Sequence, residues 1–89
     1  MKPLVVLFRR DLAGVEEMLH YWADRVPCAK MSFHAQCIDT PLVTYKYFSA
    51  NVDPDKLRGL EISAVFYEEN GGYADELRRV VASRIRGKK

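Results

Sequence analysis

PLVVLFRRDLAGVEEMLHYWADRVP, residues 3–27, begins with one hydrophobic period and ends with another. Pro3 to Phe8 is a continuous apolar run closed by Arg9, Arg10 and Asp11. A short run without alternation suits a strand covered on both faces, as in a parallel sheet. Leu12, Val15, Leu19, Trp22 and Val26 then recur at helical spacing. Asp11 stands where an N-cap belongs, Glu16 and Glu17 fall early in the helix, and Pro27 stops it. A buried strand that leads directly into a helix predicts an α/β fold.

The second nearly all-apolar run, Ile62 to Tyr67, predicts a parallel neighbour for the first, joined to it by a right-handed crossover. Between the two lies alternation. Met31, Phe33, Ala35 and Cys37 fall on one side of an extended segment, and Ser32, His34 and Gln36 on the other. Asp39-Thr40-Pro41 supplies turn chemistry, and Leu42 to Ala50, rich in Val, Thr, Tyr and Phe, returns as an antiparallel partner. This reads as a hairpin that extends or flanks the sheet.

Asp53-Pro54 reads as an N-cap followed by proline at the first helical position, so residues 54–58 should form about one turn, ended by Gly59 with positive φ. Asn70-Gly71-Gly72 breaks the chain. Leu77, Val80, Val81 and Ile85 then share one face of a helix from about Ala74 to Arg86. The expected architecture is a small open α/β sheet with two parallel core strands, a β-hairpin and two flanking helices.

At 89 residues the chain is a single domain, since a chain this short buries only roughly two thirds of its unfolded surface in one core. Its 48% hydrophobic and 29% charged composition excludes a disordered chain. No apolar run approaches the roughly 20 residues of a membrane span, or the length of a signal-peptide core, so a cytoplasmic location without membrane association is expected. Cys28 and Cys37 are then expected as free thiols. With His34 they could be read as zinc ligands, but their spacing matches no common zinc motif.

Charge is distributed unevenly. From Leu77 onward the chain carries Arg78, Arg79, Arg84, Arg86, Lys88 and Lys89 and no acid. Basic residues in a last helical turn complement the helix dipole, and the remainder form a candidate anion-binding surface. The basic end, residues 84–89, is expected to be flexible. Tyr45, Tyr47 and Phe48, with Lys46 among them, form a candidate stacking platform for bases. Strands also prefer aromatics, and core packing is the favoured reading of these three. His20 is read as a partly exposed helix residue paired with Glu16, and His34 as a residue on the polar side of a hairpin strand.

Tyr47 to Glu61, with its Asp53-Pro54-Asp55-Lys56-Leu57-Arg58-Gly59 turn, is followed by the second strand, by Glu68-Glu69, and by a helix that ends at Arg84-Ile85-Arg86. This succession resembles the Walker B region of phage large-terminase ATPase domains. The resemblance implies a degenerate half of a P-loop-like fold, with Glu68 in the magnesium-side position and Glu69 in the position of the base. The chain departs from the family in having no G-x-x-x-x-G-K-[ST]. Gly14, Gly59, Gly71, Gly72 and Gly87 are not spaced for it, and Gly87-Lys88-Lys89 lacks both the first glycine and the hydroxyl residue. Without that loop nothing cradles the phosphates.

The expectation is therefore a non-enzymatic, phage-related accessory protein without cofactor or metal, in which Glu68 and Glu69 are vestigial. It would act by binding a protein partner, as an inhibitor or regulator of a host or phage machine. The alternative is a sequence-independent nucleic-acid-binding module that uses Arg78, Arg79, Arg84, Arg86, Lys88, Lys89, Tyr45 and Tyr47. A third reading is an incomplete ATPase domain completed by another subunit.

Overall fold

In chain order the elements are β1 (Leu4–Arg9), α1 (Leu12–Arg25), β2 (Lys30–Ser32), β3 (Cys37–Asp39), β4 (Thr44–Ser49), a 3₁₀ turn (Pro54–Leu57), β5 (Ala64–Tyr67) and α2 (Asp75–Arg84). The computed structural model describes residues 2–25, 30–69 and 71–85. The strands form one mixed sheet in the order β2-β3-β4-β1-β5. β1 pairs in parallel with β4, Leu4 opposite Thr44 through Arg9 opposite Ser49, and in parallel with β5, Val5 opposite Ala64 through Phe8 opposite Tyr67. β3 is antiparallel to both of its neighbours, β2 and β4. The apolar run that opens the chain is thus an interior strand with neighbours on both edges, which is why it needs no polar face.

Alternation along β1 divides the core in two. Leu4, Val6 and Phe8 join Phe48, Val65, Tyr67, Leu77, Val80, Val81 and Leu57 of the 3₁₀ turn on one face. Leu7 points to the other face, where Val15 and Leu19 of α1 pack on Ile38 and Tyr47. The sheet is therefore sandwiched between α1 and the α2 layer. Phe8 is the hub of the second layer, with its ring stacked on Tyr67 at 5.0 Å and edge-on to Tyr73 at 5.8 Å. Truncating such a ring costs about 3–5 kcal/mol.

The local signals act as expected. The Asp11 carboxylate accepts from the Gly14 N–H at 2.8 Å and caps α1. Asp53 accepts from the Asp55 N–H at 3.0 Å ahead of Pro54, and Gly59 follows the turn at φ +87°. α1 buries Val15 and Leu19 and half-buries Trp22, whereas Leu12 is exposed; Val26 and Pro27 lie outside the described residues. α2 buries Leu77, Val80 and Val81, and the chain leaves it so that Ile85 bridges Ile62 in parallel. That bridge precedes β5, which is shorter than the apolar run containing it.

The hairpin differs from its expected form. Residues 31–37 are not one alternating strand but two short antiparallel strands, with Ser32 paired to Cys37 across a turn at 33–36. Gln36 adopts φ 56°, and the Ser32 Oγ accepts from the Ala35 N–H at 3.0 Å. A side chain that satisfies a nearby backbone donor competes with strand continuation, and here the local bond prevails. His34 consequently lies exposed in this turn rather than on a strand. His20 also differs: its ring packs on Phe33 at 4.8 Å, and no ion pair with Glu16 forms among the described residues.

Candidate functional site

β1 continues into α1 on one face of the sheet and β5 continues toward α2 on the other. Adjacent parallel strands whose connections depart to opposite faces open a crevice at their carboxyl ends, the usual ligand position in open α/β sheets. Glu68 occupies that crevice. Arg9 Nη2 meets its Oε1 at 3.0 Å, and Arg10 Nε meets its Oε2 at 3.3 Å. The Arg10 backbone N–H also donates to Oε2, at 3.2 Å. A polar cavity of about 280 Å³ lies here, lined by these three residues with Asp11, Gly14 and Glu17 among others. Gly14 lets these side chains approach the helix closely: a Cβ there would stand 3.2 Å from Arg9 Nε and 3.3 Å from Asp11 Oδ1, so both would have to shift by a few tenths of an ångström.

Both carboxylate oxygens of Glu68 are therefore engaged by guanidinium groups, a charge-assisted arrangement that ties the ends of β1 and β5 together. Glu69, the next residue, is exposed. The two acids are adjacent in sequence but differ in environment, with Glu68 only 16% exposed and held between arginines. Among the described residues no group of His, Cys, Asp and Glu gathers as a metal site, and Cys28 lies outside them.

The opposite half of the α1 face carries an apolar groove of about 330 Å³, bounded by Leu7, Trp22, Ile38, Leu42, Val43 and Tyr45. Trp22 Nε1 donates to the Tyr47 hydroxyl at 3.0 Å at its base, and burial pushes the Tyr47 phenol above its usual pKa. Leu42 is 79% exposed at the rim. It sits there because Leu42 and Val43 belong to the β3–β4 turn and not to the strand. The Thr40 hydroxyl donates to the Val43 carbonyl at 2.6 Å and accepts from the Val43 N–H at 3.0 Å. Leu42, expected at the start of a strand, stands outside it, and the groove follows from that displacement. Thr40-Pro41 just before it was the available signal, since turn chemistry followed by leucine puts an apolar side chain at a loop tip.

The nucleic-acid candidates are dispersed. Tyr47 and Phe48 are 2% and 5% exposed, so neither ring offers a face to a base, and Tyr45 lines the apolar groove. The Arg78 guanidinium lies over the Tyr67 ring, 4.6 Å from its centroid. The Arg84 carbonyl accepts from the Ile62 N–H at 2.8 Å, and its side chain is half-buried. Arg79 is exposed, and Arg86, Lys88 and Lys89 lie outside the described residues. No helix among the described residues is long and apolar enough to cross a membrane. No protein-family model, curated protein or solved structure matches the chain.

Proposed function

We propose that this chain is a non-enzymatic module that acts by binding a protein, receiving apolar side chains of the partner in the groove between α1 and the β3–β4 turn. The observation that carries this reading is the groove itself, with its leucine rim standing in water. Covering one such leucine contributes about 1.5–3 kcal/mol, and a concave apolar site next to a rigid sheet concentrates several such contacts. Glu68 supports the non-enzymatic part, because a carboxylate held by two arginines serves the sheet. The resemblance to the terminase Walker B region extends the reading to a phage-related accessory protein of the cytoplasm, an inhibitor or regulator of a host or phage machine.

Affinity capture with the immobilised chain and with its Leu42→Asp variant tests this reading. Proteins retained by the unmodified chain and by Leu42→Met, but lost with Leu42→Asp at unchanged circular dichroism, are the expected result. Identical captured sets for all three chains would remove the groove as the binding site.

A further inference from the structure

The α2 face of the sheet is covered unevenly. α2 and the 3₁₀ turn pack around Val6, Phe8 and Phe48, and beyond Phe48 the face opens into a cavity of about 350 Å³. Its lining brings together His34 and Gln36 of the 33–36 turn, Lys46 and Phe48 of β4, Val52, and Lys56 of the 3₁₀ turn. No carboxylate lines it among the described residues.

Lys46 and the backbone that carries its neighbours are held in place. Lys46 Nζ donates to the Ala35 carbonyl at 3.0 Å and lies 5.5 Å from the Phe48 ring centroid. Two of its three N–H donors remain for a ligand. The Ala35 carbonyl is aimed by the Ser32 bond to the Ala35 N–H and by the left-handed Gln36, whose carbonyl accepts from the Tyr47 N–H at 2.9 Å. Lys56 is presented by a turn that is itself capped by Asp53.

We infer that this cavity binds a small organic phosphate. Lys46 and Lys56, from different elements, converge on one concavity with the imidazole of His34 and the Gln36 amide beside them. That donor set suits an anion with several acceptor oxygens. Phe48 and Val52 form an apolar wall beside the ammonium group, and an apolar surface there lowers the local dielectric and strengthens its attraction for an anion. The volume lies within the range of small-ligand sites, which leaves room for an organic group as well as the phosphate. The site is a single local concavity, whereas a nucleic-acid backbone needs a track of cations, and no arginine of α2 lines it among the described residues.

Amide chemical-shift titration with inorganic phosphate, with a nucleoside monophosphate, and with the phosphate-free nucleoside tests the proposal. Saturable shifts at residues 34–36, 46, 52 and 56 are expected with the two phosphates, stronger for the nucleotide and absent for the nucleoside. Lys56→Gln, at an exposed position, and Lys46→Gln should each weaken binding about tenfold, the effect of one charged hydrogen bond. The proposal is overturned if phosphate at millimolar concentration gives no saturable shift, or if the nucleoside alone reproduces the shifts. It is equally overturned if both variants, with spectra otherwise unchanged, bind as the unmodified chain does. A single-stranded oligonucleotide that binds where the mononucleotide does not would overturn it in favour of a backbone-binding surface.

Discussion

The Tyr73 hydroxyl donates to the backbone carbonyl of Phe8 at 3.1 Å, joining residues 65 apart in sequence. The same oxygen accepts from the Glu68 N–H at 3.1 Å, so one phenol fastens the carboxyl ends of β1 and β5 from the α2 side. Tyr73→Phe keeps the ring among Phe8 and Tyr67 and removes only these bonds. Urea denaturation should show a loss of about 0.5–1.5 kcal/mol, against about 3–5 kcal/mol for Tyr73→Ala.

Gly59 has φ +87° with nothing within 4 Å of where a Cβ would stand, so any penalty for substitution there is conformational and not steric crowding by neighbours. Gly59→Val should destabilise by about 1–3 kcal/mol, because a β-branched residue enters this region only with strain. Gly59→Asn should recover most of that loss, since asparagine tolerates the left-handed conformation. Chemical denaturation of the two variants checks both values.

Glu68 and Glu69 should separate cleanly. Glu68→Gln removes the charge facing Arg9 and Arg10 and should cost about 1–2 kcal/mol, the value for a charged hydrogen bond discounted for partial exposure. Glu69→Gln should lie within about 0.5 kcal/mol of the unmodified chain. Isothermal titration with ATP and magnesium at millimolar concentration should give no heat of binding attributable to Glu68, so that Glu68→Gln leaves the trace unchanged.

Stability should fall in alkali. Burial disfavours the phenolate of Tyr47, Tyr67 and Tyr73, so their folded pKa values lie above the ordinary 10.0. In the unfolded chain the same groups release their protons near pH 10, leaving the unfolded state with fewer bound protons. Their contribution is complete below about pH 10 and is lost as pH rises through the folded values. Urea midpoints taken from about pH 9 to 11 should therefore decline, and Tyr47→Phe should make the decline shallower.

Much of the architecture was legible because its signals are local. The unbroken apolar run at residues 4–8, the helical spacing of Val15 and Leu19, and the capping by Asp11 and Asp53 each act within a few positions. The left-handed Gly59 followed from the same kind of evidence. The division of residues 31–37 into two strands was not legible. Its alternation is genuine, and only the pairing of Ser32 with Cys37 shows that the chain reverses within it.

Sequence alone determined that two apolar strands and two amphipathic helices must form, because period and capping are properties of neighbouring residues. Tertiary structure alone decided that β4 pairs in parallel with β1 on the edge away from β5, that Glu68 meets Arg9 and Arg10, and that Lys46 and Lys56 face one cavity. Those relations join residues far apart in the chain. They arise from strand order and register, which the burial of both sheet faces selects and no local pattern encodes.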